Sequence, residues 1–210
     1  MTKQIKPNPW LIEFPRLVLV IFIILNLIAI FSYPGGTYLD QNTIGYSLTK
    51  NFLSDLGRTI SFSGEVNFLS AQLFNMTLIL AGGVFAIFYI QVRKIFQGPR
   101  QTVFAFIGTI FGVAGGIFLA GVGLTPANLY LDLHIICAIW LFRFFFISSF
   151  CYTLVIFKHN HIENKYAGGY LLFTVSILAY ILISELGPNP KINQIALGVQ
   201  VVSQKLILLI

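Results

Sequence analysis

The chain has 210 residues, of which 57% are hydrophobic, 15% aromatic and only 10% charged, and its mean hydropathy is +0.84. Soluble domains carry about 25% charged residues. The composition therefore excludes a soluble globular protein, a disordered protein and a nucleic-acid-binding domain. The formal net charge of +6 is interpreted as loop charge that orients the chain in a membrane.

Six apolar stretches are each about long enough to cross a bilayer, which takes about 20 residues as a helix. Turn signals such as Pro34-Gly35-Gly36 separate them. The predicted spans cover residues 16–33, 67–92, 103–123, 131–157, 166–185 and 192–210. The sequence thus predicts an all-α fold, a single domain of residues 1–210 that forms a six-transmembrane-helix bundle. The one long loop, residues 34–66, is expected on the outer side.

Basic residues are divided unequally between the two sides of this predicted bundle. Eight fall on one side: Lys3, Lys6, Arg16, Arg93, Lys94, Arg100, Lys158 and Lys165. Three fall on the other: Lys50, Arg58 and Lys191. The positive-inside bias therefore predicts a multi-pass protein of the cell membrane with both termini in the cytoplasm. Lys205, near the end of the sixth span, is expected to reach the cytoplasmic side as well.

Polar side chains from several spans are predicted to lie at one depth, near the outer surface. At 1.5 Å per residue, Arg143 lies about 22 Å above the inner end of its span, Asn75 about 27 Å and Glu185 about 30 Å. Three more residues belong to this layer: Asp55 in the outer loop, and Asp132 and His134 at the outer end of the fourth span.

Arg143 is the most informative residue of the layer, because an arginine inside a span costs at least about 2.5–3.5 kcal/mol without a partner or water. Three interpretations stay open: a structural pair with Glu185 or Asp132, a clamp for an anionic ligand, or part of a proton or ion path. Asp132 and Arg143 are 11 residues apart and within about 20° of the same helix face, whereas His134 is near the opposite face. We expect an outward-opening pocket with Arg143, Asp132, Asp55, Asn75 and Glu185 in it and His134 at its margin.

Small residues on the third span predict close helix packing. Gly108, Gly112 and Gly116 recur every four residues, a spacing that lets a neighbouring helix approach closely. Gly82 and Gly83 on the second span are candidates for the partner surface. Polar residues of the second span, Asn67, Ser70 and Asn75 among them, fall along one stripe.

Several short motifs occur in the outer layer: Asn51-Phe52-Leu53-Ser54-Asp55-Leu56-Gly57, then Asn67 to Asn75 with Gly82-Gly83, then Gly121-x-Gly123-x-Thr125-Pro126 and His134. With these motifs the chain resembles, from the first to about the fifth span, the prokaryotic six-span membrane proteins grouped as "domain of unknown function 998". That family is distantly similar to the eukaryotic Frag1, DRAM and Sfk1 group, which is linked to lipid organisation and membrane trafficking. The resemblance implies no established reaction. Its recurring positions match Asp55, Gly57, Asn75, Pro126 and His134 here.

The predicted function is non-enzymatic binding or organisation of membrane lipid, or of another small amphiphile, in the outward-facing polar pocket. Arg143 would meet an anionic headgroup there. A small transporter, channel or assembly subunit is one alternative. An intramembrane metal-dependent lipid hydrolase is another, although catalytic zinc usually takes several His or Cys ligands and only His134 is on the correct side. The chain shows no phosphate-binding loop or nucleophile motif, so neither a cofactor, a bound metal nor a catalytic residue is predicted.

Overall fold

The computed structural model describes residues 8–96, 99–159, 162–190 and 192–208, and omits the side chains of residues 99 and 100. Six α-helices follow one another along this part of the chain: α1 Glu13–Ser32, α2 Phe68–Val92, α3 Pro99–Leu124, α4 Leu131–Phe157, α5 Asn164–Leu186 and α6 Gln194–Ile207. Three short 3-10 helices occur at Pro9–Leu11, Leu53–Gly57 and Arg93–Ile95. We call Leu53–Gly57 the loop helix. The predicted all-α fold is confirmed for the described residues.

Proline and glycine define several helix boundaries, as the sequence predicts. α1 ends at Ser32 because Tyr33 precedes Pro34, and a residue before proline avoids the helical conformation. α3 begins with Pro99, whose missing N–H is not needed in the first turn. α5 ends at Leu186, directly before Gly187-Pro188. The first five predicted spans consequently coincide with α1–α5 within a few residues.

Five helices are long and apolar enough to cross a membrane: α1, α2 with its 3-10 extension, α3 from residue 101, α4 and α5. Large apolar side chains also cover the outside of the bundle, and Leu17, Ile24 and Leu27 of α1 are each at least half exposed. Such a surface is stable against lipid rather than water. The chain therefore has the architecture of a multi-pass membrane protein.

A sixth span is not confirmed by the structure. α6 has 14 residues, about 21 Å at 1.5 Å per residue, which is less than the roughly 30 Å of a bilayer core. Lys205, in its last turn, donates a hydrogen bond from Nζ to the carbonyl of Asn51 at 2.5 Å. Lys205 and the 34–66 loop, which were predicted on opposite sides of the membrane, therefore lie together, because the loop binds the Lys205 ammonium. Residues 209–210 of the predicted span lie outside the described residues, as do Lys3, Lys6, Lys191 and the side chain of Arg100.

The helices pack in chain order, α1 on α2, α2 on α3, α3 on α4 and α4 on α5. α3 is close to both neighbours through its glycines. A Cβ on Gly116 would collide with the Gly82 carbonyl of α2, and one on Gly112 with the ring of Tyr89. Gly108 faces the other way, against Tyr152 of α4. Among the described residues no comparable packing joins α1 to α5, so the five helices form an arc.

The helices begin and end at two opposite faces of the bundle, which we call the loop end and the basic end. The loop end carries residues 33–67, which connect α1 to α2, and residues 125–130, which connect α3 to α4. The basic end carries Arg93, Lys94 and Lys158. α6 lies at the loop end, because its last turn contacts the loop helix.

Candidate functional site

Asp55 organises the loop end through hydrogen bonds to its own segment. Its Oδ2 accepts from the backbone N–H of Phe52 at 2.9 Å and from Nδ2 of Asn51 at 3.1 Å. The same Nδ2 group donates to the carbonyl of Gly36 at 3.0 Å. The side chains of Asp55 and Asn51 are both buried. The carboxylate thereby fixes the start of the loop helix in the manner of a helix cap.

The polar stripe predicted on α2 binds the backbone of the loop helix. Nδ2 of Asn67 donates to the carbonyls of Leu56 at 2.9 Å and Arg58 at 2.8 Å. Nδ2 of Asn75 donates to the carbonyl of Gly57 at 3.0 Å. Gly57 has to be a glycine, because a Cβ there would collide with Asn75 and with the ring of Phe74. The amides on α2 therefore satisfy carbonyls that a short helix leaves unpaired.

Two charged groups at the loop end, Asp55 and Lys205, lie in a partly dehydrated environment that shifts their pKa values. Burial raises the pKa of Asp55 to about 6, although the hydrogen bond from Asn51 and the positive charge of Arg58 oppose that rise. Burial lowers the pKa of Lys205 to about 8, and the charge of Asp55 opposes that change. Lys205 also lies 5.3 Å from the ring centre of Tyr46, a cation–π distance. Lys205 thereby joins α6 to the loop, near the buried carboxylate of Asp55.

His134 and the α3–α4 connection form a second contact at the loop end. The Nδ1–H of His134 donates to the carbonyl of Thr125 at 2.7 Å, and the imidazole is buried. Asn128, in the same connection, accepts from the N–H of Thr59 and donates to its hydroxyl, both at 2.8 Å. His134 thus supports the connection that holds the 34–66 loop.

Arg143 pairs with Glu185, one of the two acids considered from sequence. Its Nη2 donates to Glu185 Oε1 at 2.6 Å, and the two side chains are 37% and 46% exposed. The guanidinium also lies 5.1 Å from the ring centre of Trp140. Asp132 is exposed in the first turn of α4, where a negative charge is favourable, and no described contact joins it to Arg143.

The six predicted site residues consequently occupy separate places. Asp55 and Asn75 meet at the loop helix, His134 supports the α3–α4 connection, Arg143 and Glu185 pair with each other, and Asp132 stands apart. None of them lines the large cavity of the described structure. Among the described contacts none joins these six side chains in one polar pocket: Asp55, Asn75 and His134 bind groups of the loop and backbone, and Arg143 and Glu185 bind each other.

A large apolar cavity lies on the inner side of the arc. Its volume is about 720 Å³, within the range of small-molecule sites. α1, α2, α3, α4 and α5 all contribute to its wall, and the loop helix and α6 contribute at the loop end. From Phe74 to Tyr89 it follows α2 for 15 residues, about 22 Å. It therefore extends over most of the thickness of a bilayer core.

The cavity wall is mainly hydrocarbon. Aromatic side chains such as Phe22, Phe85 and Phe145 line its middle. Polar groups occur at its two ends: Ser54 and Gln204 at the loop end, and Lys165, Tyr166 and Tyr170 at the basic end. Such a wall suits a molecule with a long apolar body and a polar terminus.

Sequence reasoning missed this cavity because its lining residues resemble ordinary core positions. One signal was available on α5. Gly168 and Gly169 are adjacent glycines, and a Cβ on either would meet nothing within 4 Å. The glycines of α3 that face a neighbouring helix behave in the opposite way, so this pair is not a helix-packing contact, and Gly169 borders the cavity.

Comparison with known proteins adds no assignment to this geometry. No family model matches the chain, and neither a curated protein nor a solved structure is significantly similar to it. Within the described residues, no group of three or more His, Cys, Asp or Glu side chains comes together in a way that could hold a metal ion.

Proposed function

We propose that this protein binds a membrane lipid, or an amphiphile of similar shape, in the apolar cavity inside the arc, without catalysing a reaction. The observation that carries the proposal is the cavity itself. It is about 720 Å³ in volume, has an apolar wall, and lies between helices that are each long enough to cross a membrane. Water finds few hydrogen-bond partners in apolar space of this kind, whereas a hydrocarbon chain makes favourable van der Waals contacts with the wall.

The shape of the arc supports a lipid over a water-soluble ligand. Because α1 and α5 make no extensive contact in the described part of the chain, the cavity lies behind a gap between two membrane-spanning helices. A lipid can enter through such a gap without leaving the bilayer. The resemblance to the "domain of unknown function 998" group, with its distant link to lipid organisation, agrees with the same function.

The proposal relocates the ligand from the outer polar layer to the cavity. Asp55, Asn75 and His134 then act as the scaffold that fixes the loop end, and the Arg143–Glu185 pair joins α4 to α5. We further propose that the protein is in a cell membrane with its basic end in the cytoplasm, because Arg16, Arg93, Lys94, Lys158 and Lys165 lie there.

Two adjacent glycines provide a matched test. Gly169 lines the cavity and Gly168 does not, although a Cβ fits at both positions. Protein purified in mild detergent should carry co-purified lipid, measured by native mass spectrometry and by extraction. Gly169→Trp should lose most of that lipid, since an indole side chain buries roughly 150–250 Å² and would occupy the cavity. Gly168→Trp should retain it. Equal lipid content in both variants, at equal melting temperature, would contradict the proposal.

A further inference from the structure

The charge on the cavity wall is placed at one end. Among the described residues that line the cavity, Lys165 is the one that carries a charged side chain. It lies in the first turn of α5, at the basic end. The polar groups at the loop end, Ser54 and Gln204, are uncharged. An amphiphile in this cavity therefore meets a cation at one terminus and neutral groups at the other.

Lys165 is available to a ligand because its present partner is weakly held. Its Nζ lies 2.8 Å from Oε2 of Glu163, and the two side chains are 63% and 69% exposed. Ion pairs this exposed add little to stability, since water screens them. The aliphatic stem of a lysine can lie along apolar surface while the ammonium stays at the membrane boundary. An anionic group at the cavity mouth can therefore replace Glu163.

A second polar group lies deeper at the same end. Tyr170 lines the cavity five residues after Lys165, about 7.5 Å further along α5. Its ring lies against that of Tyr152, with 5.9 Å between centroids, and no described residue forms a hydrogen bond with its hydroxyl. A hydroxyl in apolar surroundings is costly without an acceptor. Tyr170 can donate to an oxygen that lies below the anionic group.

We infer that the ligand of the cavity is an acyl-chain amphiphile with an anionic group, held with that group against Lys165 and with its chain extending toward the loop helix. The inference rests on the proposed function and gives it a ligand class and a direction. A fatty acid and an anionic glycerolipid both have this chemistry. They differ in one respect, because a glycerolipid has an ester carbonyl below its headgroup, at the depth of Tyr170.

The charge is tested with two probes of equal chain length, palmitate and hexadecanol, on the detergent-purified protein. We expect wild type to bind palmitate more tightly than hexadecanol. Lys165→Gln should weaken palmitate binding about fivefold, the upper range for an exposed ion pair, and leave hexadecanol unchanged. Glu163→Gln should have the opposite effect on palmitate, because it removes the competing carboxylate. Lys158→Gln, a change of the same kind at the basic end but outside the cavity lining, should alter neither.

The source of the anion is tested with Tyr170→Phe, which removes one hydroxyl. Loss of phosphatidylglycerol binding with palmitate binding unchanged would identify a glycerolipid. Phosphatidylglycerol and palmitate binding that are both unchanged would identify a free acid, whose carboxylate at Lys165 does not reach the depth of Tyr170. Both results support an anionic acyl ligand held at this end of the cavity.

The inference is overturned if palmitate and hexadecanol bind equally and Lys165→Gln changes neither affinity. In that case, blocking of both probes by Gly169→Trp but not by Gly168→Trp would leave the proposed function intact. If neither probe, nor phosphatidylglycerol, binds to the folded wild type, the proposed function fails together with the inference.

Discussion

Asp55 is an acid whose burial has a measurable consequence. Its pKa rises from 3.8 to about 6, so the folded protein binds this proton more tightly than the unfolded chain does. A raised pKa contributes stability that is present below the ordinary value and is lost as the pH rises through the folded value. Lys205, with a pKa of about 8, stays charged throughout that window. The loop end should therefore be most stable when Asp55 is protonated.

We expect Asp55→Asn to flatten this pH dependence. As the pH rises from about 4 to about 7, wild type should lose stability relative to the variant, by a few kcal/mol at most, at about 1.4 kcal/mol per pKa unit. Melting temperatures measured across this range would show it. Asp40→Asn is the control, because Asp40 is an exposed carboxylate in the same loop. Parallel profiles for wild type and Asp55→Asn would contradict the prediction.

Arg143 shows how far single-residue reasoning extends. The cost of a lone arginine in a span predicts that it has a partner, and the structure provides Glu185. Helical phase places Asp132 and Arg143 on nearly the same face of α4. They are nevertheless eleven residues apart, about 16 Å along the helix. Glu185 comes from a different helix, whose distance from α4 depends on packing that no local pattern contains.

The packing of α3 against α2 is the contact between elements that is most sensitive to side-chain size. Gly82 and Gly116 face each other, and a Cβ on Gly82 would collide with the backbone of Gly116 and Ala120. Gly83, the next residue, faces open space. Neither glycine of α2 has a positive φ, so alanine is compatible with the backbone at both positions and only the contact differs.

Gly82→Ala and Gly83→Ala should therefore change stability in opposite directions. Gly82→Ala should lower it by about 1–3 kcal/mol, since the helices have to move apart. Gly83→Ala should raise it by about 0.5–1 kcal/mol through helix propensity alone. Thermal melting of both variants in one detergent measures the difference. A Gly82→Ala variant as stable as Gly83→Ala would show that the helices do not approach closely.

Helix positions were predictable because proline, glycine and apolar run length are local signals. The polar stripe of α2 was predictable for the same reason. Its partners were not, because Asn67 and Asn75 bind backbone carbonyls of the loop helix. Every residue has a backbone carbonyl, so residue type does not identify the acceptor. The close packing of the α3 glycines was predicted, but the helix that each glycine faces was not. Gly112 and Gly116 face α2, and Gly108 faces α4.

The whole molecule is an arc whose interior is not filled by its own side chains. In the part of the chain that the structure describes, each helix packs on the next, but no extensive contact between α1 and α5 closes the ring. Phenylalanine, leucine and tyrosine on the inner face have the same composition as a closed core, so the sequence does not distinguish a cavity wall from a filled core. The cavity follows from the missing α1–α5 contact, which is a property of the assembled helices.

The position of α6 determines the topology of the chain. Five crossings put the two ends of the described chain on opposite sides, whereas six would put them on the same side. The sixth apolar stretch is not confirmed as a span, and its polar residues Gln204 and Lys205 bind Leu53 and Asn51 of the loop. Moving α6 across the membrane would break both hydrogen bonds and drag the Lys205 ammonium through hydrocarbon.

Cysteine labelling on a background without Cys137 and Cys151 measures this topology. Single cysteines at Thr43, in the loop, and at Leu208, just after α6, should react with an impermeant maleimide from the same side of the membrane. A cysteine at Lys94, at the basic end, should react only after the membrane is permeabilised, because basic loops stay in the cytoplasm. Labelling of the Leu208 position together with Lys94, and not with Thr43, would restore the sixth span. In that case α6 would have to leave the loop helix, and the loop end of the cavity would lose the contribution of Gln204 and Ile207 to its wall.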